Sequence, residues 1–125
     1  MILGIGTDLV EIGRIELALE RWGDRFARKI LVPRELDRLA GHRKPAAYLA
    51  KRFAAKEAFS KAMGTGFRYP VTLQCISVVQ NRAGKPGFAF DAELDTLVKD
   101  RGIIGHHLTI SDEKSLACAC VVLET

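Results

Sequence analysis

The chain opens on "MILGIGTDLV", where apolar residues alternate loosely with small and polar ones, and this predicts a strand to about Val10. On such a strand Gly4, Gly6 and Asp8 share one face, which leaves room beside a carboxylate for a close approach. Over residues 14–30 the period changes. Ile15, Leu19, Trp22, Phe26 and Ile30 make one apolar stripe of helical spacing, and Gly23 is the point at which that helix can divide. "VPRELDRLAG" reads as a short helix with Pro33 near its start and Gly41 after its end. "PAAYLAKRFAAKEAFSKAMG" is the strongest helical signal, alanine-rich, opened by Pro45 and closed by Gly64 at C′.

The second half alternates differently. "QCISVVQN" and "PGFAFD" read as strands around the turn "RAGKP", and "AELDTLVKDRG" as an amphipathic helix ending at Gly102. "HHLTISD" and "LACACVVLE" are two more strands joined by "EKS". The last is apolar on both faces, which predicts burial on both sides. Four or five strands and four helices without strict βαβ alternation give an α+β class with a mainly antiparallel sheet packed with helices.

Length adds one constraint: 125 residues suit a single domain, 1–125, with a proper core. Hydrophobic content of 48% and charged content of 27% are ordinary for a globular protein, and no apolar run approaches a membrane span. The N-terminus lacks a basic n-region, and Asp8 and Glu11 interrupt its apolar run, so the expected location is cytoplasmic. Three cysteines make no disulfide framework and have no zinc spacing, and all three read as small buried side chains. Charge changes the picture more. Residues 1–52 hold 11 Lys and Arg against 7 Asp and Glu, while the rest of the chain balances. That end is expected to meet an acidic partner.

Several side chains are candidates for chemistry. Glu57 precedes Lys61 by four residues, the favoured order for a helical ion pair. Ser60 and Phe53 fall in the same arc, so the cluster suits a pocket wall as well as a surface. Because "GTG" (64–66) follows a helix C-terminus, an anion there needs Lys61 and a cation bridging to Glu57 rather than the helix dipole. His106 and His107 open a strand pointing opposite ways and make a poor chelating pair, while His107, Thr109 and Ser111 share a face. Arg14, Arg21, Arg25 and Arg28 fall in one arc if residues 14–30 form an unbroken helix. Four arginines without a lysine favour bidentate contact with carboxylates or phosphates, or they are a solvated face. No dinucleotide fingerprint, P-loop or base-stacking platform is present.

Three segments in order, "GIGTDLVEIGRI", "FAAKEAFSKAMGTG" and "HLTISDEKSLACACVVLE", resemble the signatures of holo-acyl carrier protein synthases, the short 4′-phosphopantetheinyl transferases. The resemblance runs the length of the chain. It implies the transferase fold and transfer of the phosphopantetheine arm of coenzyme A to a serine of acyl carrier protein, in support of fatty acid biosynthesis. Mg²⁺ is the implied cofactor, and a homotrimer with sites between subunits the implied assembly. By position, Asp8 and Glu57 match the metal ligands, and Lys61 the lysine facing the pyrophosphate. Arg52 and His107 match coenzyme contacts, the 3′-phosphate foremost. Lys44 or its neighbour Arg43 is a further one, and Ser60 and Gly66 lie in the same motif. Arg14, Arg21, Arg25 and Arg28 fall on the carrier-docking region. Val10 stands where longer transferases have a further acidic residue, so water and pyrophosphate oxygens must complete the metal shell. The acceptor of the serine proton stays open among Glu57, Lys61 and a metal-bound hydroxide.

Overall fold

The computed structural model describes residues 1–125. The elements run β1 (Ile2–Glu11), α1 (Ile12–Trp22), α2 (Asp24–Ile30), α3 (Pro33–Ala40), α4 (Pro45–Met63), β2 (Ile76–Gln80), β3 (Pro86–Phe90), α5 (Ala92–Asp100), β4 (Gly105–Asp112) and β5 (Leu116–Glu124). The strands form two antiparallel sheets, a three-stranded one in the order β1-β5-β4 and the β2-β3 hairpin. The α+β class with antiparallel pairing therefore holds, with five helices and the strands divided between two sheets.

Helix α4 lies across β1 and β5, and small residues let it do so. Ala54, Ala55, Ala58 and Ala62 are buried on it. Facing them, a Cβ on Gly4 would stand 1.9 Å from the Ala62 carbonyl oxygen, and one on Gly6 1.9 Å from that of Ala58. Only glycine admits so close a helix–strand approach. The two glycines are therefore filled by the helix backbone and leave no ligand space beside Asp8, contrary to the expectation from the strand pattern. The inner face of β5, Ala117, Ala119, Val121 and Leu123, completes this layer. Each fully buried large side chain, such as Leu49, Phe59 or Leu123, contributes about 1.5–3 kcal/mol.

The helix expected over 14–30 breaks at Gly23, whose φ of 54° ends α1 and begins α2. Arg14 and Arg21 thus lie on one helix and Arg25 and Arg28 on another, so the single arc of four arginines does not form. The break also takes Trp22 out of the apolar stripe. It is exposed, with the Arg21 guanidinium 5.0 Å from its ring centroid. Two further expectations give way. Strand β5 is buried on one face only, because nothing in the chain covers the outer side of its sheet. For the same reason Cys118 and Cys120 are half-exposed on that outer side, and only Cys75 is buried. No helix is long and apolar enough to cross a membrane.

Candidate active site

Asp8 and Lys61 are 53 residues apart and meet because β1 runs against α4. The Lys61 ammonium donates to Asp8 Oδ1 at 3.1 Å and to the Thr7 carbonyl at 3.1 Å. Spacing alone suggested a Glu57–Lys61 pair within the helix, whereas the lysine crosses to the strand. Glu57 stands beside them. Burial raises its pKa, the Asp8 carboxylate raises it further, and the Lys61 charge partly opposes both. Two carboxylates that repel each other in a half-buried corner want a cation between them. No third acidic, histidine or cysteine side chain joins them as a metal-ligand cluster. That donor set fits a hard, largely hydrated divalent ion such as Mg²⁺, which is commonly held by one or two carboxylates.

The end of α4 is tied down around this corner. Ser60, 1% exposed, donates its hydroxyl to the Glu57 carbonyl at 2.7 Å. Gly64 caps the helix in the left-handed conformation at φ 75°, and Gly66, at φ 61°, returns its N–H to the Ser60 carbonyl at 3.2 Å. Arg101 donates to the Met63 carbonyl at 2.8 Å. The Ser60, Lys61 and Met63 carbonyls at the end of the helix are thereby satisfied, and the positive charge of Lys61 is left facing Asp8.

The other residues singled out in the sequence lie elsewhere in this chain. Arg52 is buried on α4, one to two turns before Glu57 and roughly 140° round the helix. Its guanidinium lies 4.3 Å from the Tyr48 ring centroid, and Nε is 3.9 Å from Glu35 Oε2. Lys44 and Arg43 line a cavity of about 630 Å³ between the start of α4 and the β4–β5 turn, with Glu16, Asp112 and Lys114. His107 sits on β4, separated from β1 by β5, with its Nε2 2.8 Å from Glu124 Oε1. Gly105 lies against that pair: a Cβ there would stand 2.9 Å from Glu124 Oε1 and 3.2 Å from His107 Nε2, so the two side chains would have to shift. Glu124 is held below the ordinary carboxylate pKa, chiefly by its hydrogen bond to His107. His106 points the other way, its ring centroid 5.2 Å from that of Phe90, and burial lowers its pKa. Arg14, Arg21, Arg25 and Arg28 are all exposed, and Arg14 is 3.6 Å from Glu11.

One polar cluster had no counterpart in the sequence reading. Lys56, wholly buried, donates to the Ile30 carbonyl at 2.7 Å, Glu35 Oε1 at 2.7 Å and the Leu73 carbonyl at 3.0 Å. Burial pulls its pKa below the usual lysine value, and Glu35 opposes this. The only signal was a lysine spaced at i±3 from Phe53 and Phe59 and at i±7 from Leu49 and Met63 on the alanine-rich helix, among which a buried cation survives only if paired.

Comparison with known proteins bears on this arrangement. Residues 4–121 match the family model described as the 4′-phosphopantetheinyl transferase superfamily. The holo-[acyl-carrier-protein] synthase of Nitrosospira multiformis is 57% identical over 124 residues, 99% of each chain. The crystal structure of the Neisseria meningitidis holo-[acyl-carrier-protein] synthase superposes with a TM-score of 0.96 at 44% identity, covering 100% of both chains. That of the Bacillus anthracis synthase, in complex with CoA (3′,5′-ADP), does so at 0.84 and 39% identity, covering 100% of this chain and 98% of the other. The chain belongs to the 4′-phosphopantetheinyl transferase superfamily, among its holo-[acyl-carrier-protein] synthases.

Proposed function

We propose that this chain moves the 4′-phosphopantetheine group of coenzyme A onto a serine of apo-acyl carrier protein, releasing adenosine 3′,5′-bisphosphate. The reaction depends on Mg²⁺ and supports fatty acid biosynthesis in the cytoplasm. The observation that carries the site assignment is the meeting of Asp8, Glu57 and Lys61 from a strand and a helix in one half-buried corner. Asp8 and Glu57 would hold the ion, which when bound supplies charge neutralisation at the pyrophosphate. Lys61 is the counter-ion of Asp8 here. Once Asp8 is otherwise neutralised, this half-exposed ammonium is free to turn to the pyrophosphate and stabilise the oxygen that becomes anionic as the bond breaks. Arg52, His107, Lys44 or Arg43, Ser60 and Gly66 serve the coenzyme, with its 3′-phosphate the target of Arg52 and His107. The exposed arginines of α1 and α2 receive the acidic carrier.

The residues assigned to the coenzyme are dispersed over one copy of the chain, and this supports a site shared between copies. A homotrimer of single-domain chains is the assembly proposed. Its contact surface is the uncovered outer face of the β1-β5-β4 sheet, where Ile5 is 58% and Leu9 62% exposed beside Cys118, Cys120 and Val122. An apolar face of this kind marks an interaction site. Mass spectrometry tests the activity: apo-acyl carrier protein is incubated with the chain, coenzyme A and Mg²⁺. Gain of the phosphopantetheine arm, lost when coenzyme A or Mg²⁺ is left out, is the expected result. A carrier of unchanged mass in the complete mixture would overturn the reading.

A further inference from the structure

Glu35, on α3, is 1% exposed, and almost all of its accepting capacity is used. Oε1 accepts from the Val32 N–H at 3.0 Å and from Lys56 at 2.7 Å, and Oε2 from the Val78 N–H at 2.9 Å. It thereby joins α3, α4 and β2. Lys56 has spent its three donors on Glu35 and two carbonyls. Arg52 has not: it is 5% exposed, yet its Nε has no hydrogen-bond partner, and 3.9 Å to Glu35 Oε2 is an ionic contact only. The cluster thus holds two cations against one carboxylate, and the surplus charge sits on the residue with donors to spare. Arg52 lines a cleft with Arg34, Arg38 and Gln80, in which Glu35 is the only acid.

We propose that Glu35 is a positioning residue for the coenzyme. Its carboxylate holds Arg52 against the Tyr48 ring, with the guanidinium presented to the cleft, while it neutralises Lys56. This rests on the reading of Arg52 as a coenzyme contact. The carboxylate divides its two oxygens between two tasks. Oε1 closes the interior around Lys56, and Oε2 faces Arg52 without consuming its hydrogen-bonding capacity. A longer reach to Arg52, with no full hydrogen bond, leaves the guanidinium oriented but available to an anion.

Steady-state kinetics with acyl carrier protein and coenzyme A, beside thermal melting, separate this from a purely structural role. Glu35→Gln is expected to lower the melting temperature and to raise KM for coenzyme A about tenfold, with kcat changed by less than about threefold, as fits loss of uniform binding. Adding Lys56→Met removes the cation that needs the carboxylate, so Glu35→Gln with Lys56→Met is expected to recover the melting temperature while KM stays raised. Recovery of both together would reduce Glu35 to a fold residue and overturn the proposal. Glu35→Asp keeps the charge, and so the fold, but draws the carboxylate back by about one bond length of 1.5 Å. A severalfold rise in coenzyme KM is expected, and an unchanged KM would also overturn it. Arg52→Gln distinguishes the two failures. If it raises KM and the Glu35 variants do not, only the positioning fails. If it leaves KM alone, the assignment of Arg52 fails and takes the proposal with it.

Discussion

Lys56 and Lys61 stand five residues apart on α4, and each meets a carboxylate from another element, Glu35 for the first and Asp8 for the second. Their surroundings differ. Glu35 and Lys56 are sealed, with every donor of the lysine occupied. Asp8 and Lys61 lie at a corner that water reaches, the Lys61 side chain 52% exposed, beside a second carboxylate, Glu57, whose pKa is raised by burial and then by Asp8. A buried pair whose bonds are nearly all made holds elements together and touches no ligand itself; it can serve one only by orienting a neighbour such as Arg52. A half-open group with one carboxylate too many is poised to exchange its lysine for another cation. The same residue types on one helix thus build both a scaffold and a site, and burial decides which.

That contrast can be broken most forcefully at the carboxylates. Asp8→Ala and Glu57→Ala are each expected to reduce Mg²⁺-dependent transfer by about a thousandfold or more while the melting temperature changes by only a few degrees, since the corner contributes little to the core. Near-normal turnover at low Mg²⁺ would contradict this. Gly6→Ala attacks the packing beneath the site instead. Its Cβ would stand 1.9 Å from the Ala58 carbonyl oxygen, so β1 must retreat from α4. A loss of about 3 kcal/mol in denaturant unfolding is expected, together with reduced activity in whatever remains folded. Lys61→Ala should lower kcat about a hundredfold with coenzyme affinity little changed, because its charge acts on the anion that develops in the reaction. If KM alone moves, the lysine is a uniform binder.

Smaller effects test the periphery. Arg14→Glu with Arg21→Glu, both on α1, should raise KM for carrier protein by about tenfold, each contact contributing about 0.5–2 kcal/mol, and added salt should bring the wild type toward the variant. An unchanged carrier KM and salt response would return these side chains to a solvated helix face. The smallest effect concerns Glu124. His107 holds its carboxyl below the ordinary pKa, so the folded state favours the ionised form. The stabilisation is present above the usual carboxylate range and is lost as the pH falls through the lowered pKa. The melting temperatures of the wild type and Glu124→Gln should therefore differ slightly near neutrality and converge in acid.

Much of this was legible in the sequence where periodicity was strong. The alanine-rich helix appeared with its Pro45 start and Gly64 cap, and the four later strands appeared between their turns, because local pattern and tertiary packing agree there. Gly23 carried its own warning, and the helix did divide. The role of Gly4 and Gly6 was not legible, since an absent side chain looks the same whether a ligand or another backbone occupies the space. The continuous apolar run of β5 could not show that one face is left uncovered within the chain, because that depends on which neighbours arrive. Asp8, Glu57 and Lys61 were marked by the family resemblance. The crossing of Lys61 to Asp8, rather than to its helical neighbour, required the register of β1 against α4.

The most direct test of the division along α4 is transfer followed by mass spectrometry at saturating coenzyme A in Asp8→Ala and in Arg52→Gln, side by side with the wild type. The expected result is that excess coenzyme restores Arg52→Gln to nearly the wild-type rate, while Asp8→Ala stays inactive at every concentration. Rescue of Asp8→Ala by coenzyme, or failure of Arg52→Gln to recover, would contradict the separation of a reacting corner from a binding and positioning one.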